Sequence, residues 1–340
     1  MAAHELRAVA ESIVADNKGI LAADESTGTI KKRFDSIGIE STEQSRQAYR
    51  NLLFTTPGIE DWIGGVILYD ETIRQRADDG TPFAGLLASR GIVPGIKVDT
   101  GAHDLAGFPG ETVTEGLDGL RERCAEYRQL GARFAKWRAV ITIGDGIPTD
   151  GCIRANAHAL ARYAAICQEQ DLLPIVEPEV LMDADNSIET CYDATSRTLH
   201  AVFDELFGQR VDLRGTLLKP NMVISGKGSP AQADERRIAL LTIESFKRHV
   251  PSAVPGIVFL SGGQSEVEAT HNLNEINRIG GPWPLSFSYG RALQASALEA
   301  WRGEPANVEA GQQAFAHRAR LNSLAVAGEW NAELEQPVTA

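Results

Sequence analysis

Short apolar segments recur along the chain with longer amphipathic stretches between them, and no Pro/Gly/Ser-rich linker or low-complexity block interrupts the alternation. Eight segments read as strands: GILAADES (19–26), GGVILY (64–69), VPGIKVD (93–99), RFAKWRAVI (133–141), LPIVEPEV (173–180), GTLLKPNM (215–222), GIVFLSGG (256–263) and LSFSYGRA (285–292). Between them lie helical patterns such as Leu117, Leu120, Cys124 and Tyr127 at i, i+3, i+7 and i+10, ahead of Gly131 as a C-cap. Alternating strands and helices predict parallel strands. Eight of them predict an α/β protein of the closed (β/α)₈ TIM-barrel type. The expected layout is one barrel domain over 1–329, a helix covering its N-terminal end, a further helix over 307–327 and a polar tail over 330–340. A doubly wound sheet competes, but its G-x-G-x-x-G fingerprint after a strand is missing.

Composition agrees with this picture without choosing it. A chain of 340 residues, 43% hydrophobic, suffices for one barrel or two ordinary domains. No apolar run approaches the length of a membrane span, and the mixed, acidic start MAAHELRAVAESIVADN lacks the basic-then-apolar order of a signal peptide. A soluble, cytoplasmic protein with no membrane partner is expected. Cys124, Cys152, Cys167 and Cys191 form no C-x-x-C pair, and the seven histidines include no H-E-x-x-H. The expectation is therefore no disulfide framework, no metal and no cofactor. A formal charge of −13 argues against nucleic acid as a partner, and any anionic substrate would need a local basic pocket.

The strand ends supply that pocket. In a barrel the chemistry gathers at the C-terminal ends of the strands, where alternate residues point inward. Asp24 and Ser26, Lys97 and Asp99, Lys136 and Arg138, Glu177 and Glu179, and Lys219 and Asn221 are all spaced i, i+2 near strand ends. One such pair describes a solvated terminus or an ion pair between strands equally well. Five converging on one mouth make sense mainly as a site, because buried charges are costly unless paired. After the seventh strand, LSGGQS offers the backbone N–H groups of Gly262 and Gly263 to an anion. After the eighth, SYGRAL repeats the plan and adds Arg291. A second anion can be met from the opposite side by Ser26, Lys97 and Arg138, with Lys32 and Arg33 nearby in sequence. The expected partner is a substrate phosphorylated at both ends.

Lys219, beside Pro220 in a strand, is the unusual residue. A free lysine titrates near ~10.4, so only about one in a few thousand is neutral and nucleophilic at pH 7. Burial and a neighbouring cation such as Lys136 favour the neutral form. Lys219 is then a candidate Schiff-base nucleophile, although an ion pair with Glu177 or Glu179 would also explain it. Glu177 on the next strand suits the proton transfers of imine formation, and either Asp24 or Glu177 again could serve as base in a retro-aldol cleavage.

The motifs GILAADESTGTIKKRF, GGVILYDET, GIKVD, GETVTEGLDGL, FAKWR, PIVEPEV, GTLLKPNM, FLSGGQSEVEAT and FSYGRALQASALEAW, in this order from about Asn17 to Gly328, resemble the class I, Schiff-base-forming fructose-1,6-bisphosphate aldolases. The resemblance implies reversible cleavage of fructose 1,6-bisphosphate to dihydroxyacetone phosphate and glyceraldehyde 3-phosphate, in glycolysis or gluconeogenesis, by a homotetramer. It implies that Lys219 forms the imine, Glu177 moves protons, Asp24 assists at the C4 hydroxyl, and Lys136 and Glu179 support the charge network. Ser261, Gly262, Ser288, Gly290 and Arg291 would hold the C1 phosphate. Ser26, Lys97, Arg138, Arg33 and also Arg46 would line the other phosphate region, with Thr29 standing where the family usually has serine. Many members end in a tyrosine that helps exchange a proton with the enamine. This sequence ends EQPVTA, with Trp330 its nearest C-terminal aromatic, so slower exchange or another group is expected. Sedoheptulose 1,7-bisphosphate or fructose 1-phosphate as substrate, and a non-catalytic phosphate-binding scaffold, are the alternative readings.

Overall fold

The computed structural model describes residues 3–336. Its strands are β1 (Gly19–Ala22), β2 (Ile63–Leu68), β3 (Val93–Lys97), β4 (Gly101–Asp104), β5 (Thr112–Glu115), β6 (Phe134–Ile141), β7 (Leu173–Val180), β8 (Leu217–Leu218), β9 (Ile257–Phe259) and β10 (Leu285–Tyr289). Eight of them close a barrel in the order β1-β2-β3-β6-β7-β8-β9-β10, with every neighbouring pair parallel. The fold is a (β/α)₈ barrel, and each of the eight expected strands is in it. The antiparallel hairpin β4–β5, inserted between β3 and β6, is an addition to the expected plan. The helix after it runs over Leu120–Gln129 and starts behind Gly119, which sits in the left-handed region at φ 64°, so Leu117 lies outside the helix.

Strands covered on both faces read as nearly continuous apolar runs, and β2 and β7 are buried at every position. Their two faces serve different cores. The outward face, with Leu21, Val66, Ile96, Trp137, Val176 and Phe259, packs against the surrounding helices. Inside the barrel, Ile20, Ala22, Ile67, Phe134, Leu173, Ile175, Leu217 and Val258 form a separate cluster. Leu6, Ala10 and Ile13 of the helix Ala3–Ile13, together with Val14, join that inner cluster and close the N-terminal end of the barrel. Phe134 fills the middle. A Cβ on Gly95 would come within 2.1 Å of its ring, so the neighbouring strand can carry only glycine there.

At the other end of the chain, Trp330 lies just beyond the helix Val308–Val326 and is buried. Its indole donates to Glu335 at 2.8 Å, and Glu335 pairs with Arg318 at 2.7 Å. Of the expected tail, 337–340 lies outside the described residues.

Candidate functional site

Along the inner face of five of the eight barrel strands the sequence changes from apolar to charged at one level. Ala22 is followed two residues later by Asp24, Gly95 by Lys97, Phe134 by Lys136 and then Arg138, Ile175 by Glu177 and then Glu179, and Leu217 by Lys219. Period two keeps all of them inside. The apolar positions make the floor, and the charged ones make the layer at the C-terminal mouth. Pro220 cannot donate to the ladder, and β8 ends at Leu218. Lys219 is nevertheless fixed, because its N–H donates to the Val176 carbonyl at 2.8 Å.

The layer is densely paired. Lys219 Nζ lies 3.1 Å from Glu177 Oε1, and Lys136 Nζ lies 3.3 Å from Glu177 Oε2, so one carboxylate bridges two ammonium groups. Lys136 also meets Asp24 at 2.7 Å and Asp99 at 4.0 Å. Lys219, Lys136 and Glu177 are all buried. Burial alone would raise Asp24, but Lys136, Lys219 and Lys97 outweigh it and hold the carboxyl at about 2. Burial would likewise lower Lys136, and Asp24, Glu177 and Asp99 reverse this, keeping it above the ordinary lysine range. Lys136 is therefore a permanent cation beside the carboxylate that Lys219 touches.

These groups line a cavity of about 310 Å³ at the barrel mouth, within the size range of small-molecule sites. At one end stand Ser261, Gly262, Gly263, Ser288, Gly290 and Arg291. Gly262 and Gly263 both have positive φ, 48° and 86°, a conformation that favours glycine. The helices that leave these two loops begin differently. Helix Glu266–Ile279 is closed by its own capping box, in which Ser265 and Glu268 satisfy each other's backbone N–H groups. Helix Arg291–Trp301 has no side-chain cap; Leu293 N donates to Gly290 O at 3.0 Å, and the N–H groups before it and the positive dipole end remain open to an anion. Ser288 Oγ is buried with no partner among the described residues, and Arg291 is exposed and equally without one.

At the other end Ser26 caps the helix Thr27–Asp35, with Thr29 Oγ1 3.1 Å from its hydroxyl. Lys97 pairs with Asp99 at 2.7 Å and Arg138 with Glu179, while Arg33, paired with Glu25, reaches toward the first end, its Nη2 3.5 Å from where a Cβ on Gly290 would stand. Glu179 thus serves Arg138 and not Lys219. Burial opposes charge on Arg138, but Glu179 first and then Glu177 and Asp99 keep it above its ordinary value.

The family model described as fructose-bisphosphate aldolase class-I matches residues 5–340. The chain belongs to the class I fructose-bisphosphate aldolase family. It is 58% identical over 332 residues to a probable fructose-bisphosphate aldolase class 1 of Xanthomonas campestris pv. campestris, covering 97% of this chain and 99% of the relative. It is 53% identical over 329 residues to the non-muscle type fructose-bisphosphate aldolase of Lethenteron camtschaticum, covering 96% and 90%. A crystal structure of the Plasmodium falciparum fructose-bisphosphate aldolase in complex with TRAP and a small-molecule inhibitor superimposes with a TM-score of 0.96 at 50% identity, covering 97% of this chain and 96% of that one.

In this aldolase-family barrel the residues that the resemblance assigned to the site line this cavity, Arg46 excepted, whereas Lys32 and Asp99 do not. Arg46 instead forms a two-pronged pair with Glu71, at 2.7 and 2.6 Å, to the side of the mouth. Asn221 also leaves the site. After Pro220 its Oδ1 accepts from Val180 N at 3.1 Å and its Nδ2 donates to Thr195 at 3.0 Å, which ties β7 to the helix Ile188–Gly208. The residue that sequence reasoning missed is Glu25, out of phase with Asp24 and Ser26. It lines the cavity by joining Arg33 to the buried Arg50, at 2.5 Å from the latter, and accepts from Gln294 at 3.0 Å. Burial would raise Glu25, but Arg33 and Arg50 pull it below the usual carboxylate range. Arg50 was the available signal, since it lies in a buried run with Tyr49, Leu52, Leu53 and Phe54. A buried arginine calls for a carboxylate.

Proposed function

We propose that the protein cleaves fructose 1,6-bisphosphate reversibly to dihydroxyacetone phosphate and glyceraldehyde 3-phosphate through an imine on Lys219. The observation that carries this reading is the single carboxylate, Glu177, touching both Lys219 and Lys136 inside a cavity with anion-binding groups at each end. Neutral Lys219 Nζ adds to the C2 carbonyl. Glu177 delivers the proton with which the carbinolamine oxygen leaves as water, and the protonated imine then draws electrons from the breaking C3–C4 bond as the C4 hydroxyl loses its proton. Asp24, held at about 2, is a poor proton acceptor, which favours Glu177 acting a second time while Asp24 orients the C4 hydroxyl and Lys136. The resulting enamine takes a proton at C3 and water releases dihydroxyacetone phosphate. Trp330 is buried with its N–H given to Glu335 and lines no part of the cavity, so it does not take a C-terminal tyrosine's part in that exchange.

The C1 phosphate fits the end with Ser261, Gly262, Gly263, Ser288, Gly290 and Arg291, and the C6 phosphate fits Ser26, Thr29, Lys97 and Arg138, with Arg33 standing beside Gly290 rather than apart from the first end. The same reading takes the enzyme to be metal-independent, cytoplasmic and homotetrameric; among the described residues no helix is long and apolar enough to cross a membrane. The test is cleavage of fructose 1,6-bisphosphate, fructose 1-phosphate and sedoheptulose 1,7-bisphosphate in excess EDTA. Cleavage of the first with the highest kcat/KM, unaffected by chelator, is expected. Failure to cleave it, loss of activity to EDTA, or a clear preference for another sugar phosphate would overturn the reading.

A further inference from the structure

The C1-phosphate end has a cation that the barrel strands do not supply. Lys227 lies on the loop beyond Lys219, and its backbone is pinned there by three successive bonds. Gly226 N donates to Asn186 O at 2.9 Å, Lys227 N to Met182 O at 2.8 Å and Gly228 N to Ala184 O at 2.9 Å. The approach is close enough that a Cβ on Gly226 would fall 2.2 Å from the Ala184 carbonyl oxygen. The backbone is thus fixed while the side chain is about half exposed and pairs at 3.0 Å with Asp183, itself largely in solvent. An ion pair of that kind is weakly held.

The tip of Lys227 lies over the phosphate loop. A Cβ placed on Gly263 would meet Lys227 Nζ at 2.5 Å and Arg291 Nη2 at 3.4 Å. The ammonium and the guanidinium are therefore within about 6 Å of each other, near enough for one phosphate group to accept hydrogen bonds from both. Two like charges this close repel until an anion stands between them. Gly263 is what leaves room for it, since any side chain there would occupy the place where the two cations meet.

We infer that Lys227 is a second phosphate-binding cation at the C1 end, exchanging Asp183 for the substrate phosphate when the sugar binds. The inference rests on reading the site as one for a sugar phosphate. Lys227 then acts on binding and takes no part in the bond-making steps, so its loss shows in KM and leaves kcat nearly as it was. Asp183 is its resting counter-ion and competes with the substrate.

The experiment compares the full-length protein with K227Q, K227R and D183N. KM and kcat are measured with fructose 1,6-bisphosphate and with fructose 1-phosphate, and the affinity for inorganic phosphate by calorimetry, which requires no turnover. An exposed cation of this kind is worth about 1 kcal/mol, so K227Q is expected to raise both KM values and the phosphate Kd about fivefold. K227R should restore most of the loss, and D183N should leave the three constants unchanged or lower. Unchanged constants in K227Q would overturn the inference, as would a D183N defect equal to that of K227Q, which marks a merely structural pair. If the parent protein cleaves neither sugar while phosphate binding still depends on Lys227, the proposed reaction fails and the cation site stands. If it cleaves fructose 1,6-bisphosphate and K227Q matches it, the reverse holds.

Discussion

The floor and the mouth of the barrel are built from the same strands and the same inward face, yet they are held by opposite means. On the floor, Phe134, Ile175 and Leu217 exclude water and need only shape and area. One level up, Lys136, Glu177 and Lys219 occupy the next inward positions, equally buried, and are tolerable only because each charge meets another. A two-residue step along a strand thus separates packing from chemistry. The floor keeps the charged layer dry and rigid, and the mouth uses that rigidity to place one carboxylate between two ammonium groups.

Substitutions in the two layers should accordingly fail in different ways. The largest effect is expected from Lys219→Met, which removes the nucleophile while Lys136 still neutralises Glu177. Turnover should fall by roughly four orders of magnitude or more, with the melting temperature little changed, in a paired cleavage and calorimetry measurement. Phe134→Ala should do the reverse, costing about 3–5 kcal/mol of stability by urea titration while the protein that remains folded keeps a measurable kcat. Asp24→Asn probes how the layer is bound by charge. Because the folded carboxyl is held at about 2, below the ordinary 3.8, the group stabilises the fold at pH values above about 4, and that contribution is lost as pH falls through 2. The variant should lack this roughly 2 kcal/mol and show a flatter decline of stability between pH 4 and 2. Arg46→Ala marks the edge of the site. Its pair with the half-buried Glu71 is worth about 1 kcal/mol, and KM should stay within about twofold of the parent value. A larger rise in KM would return Arg46 to the phosphate region.

The division between the layers was legible in the sequence where the strands are regular. Alternation in RFAKWRAVI and LPIVEPEV sets Lys136, Arg138, Glu177 and Glu179 on one face without any tertiary information. It failed where the chain leaves the strand geometry. Asn221 is in phase with Lys219 by spacing, but Pro220 ends the ladder and the backbone turns outward. The hairpin β4–β5 carries few buried residues, so it left no hydrophobic pattern to read. Arg46 and Arg50 lie one turn apart on the helix Glu43–Thr55, and only packing decides that Arg50 reaches Glu25 while Arg46 meets Glu71. Lys227 has the same origin, since no spacing connects it to Gly263 and Arg291. Loops that fold back over a mouth are read from contacts, whereas strands announce themselves by period.

The central claim is that Lys219, alone among the buried cations of the mouth, forms a covalent bond with the substrate. The direct measurement is borohydride reduction in the presence of dihydroxyacetone phosphate, with the modified peptide then mapped by mass spectrometry. A single reduced adduct on the peptide carrying Lys219, abolished in Lys219→Met and still formed in the presence of EDTA, is the predicted result. No adduct, or one on Lys136 or Lys97 with Lys219 unmodified, would contradict it.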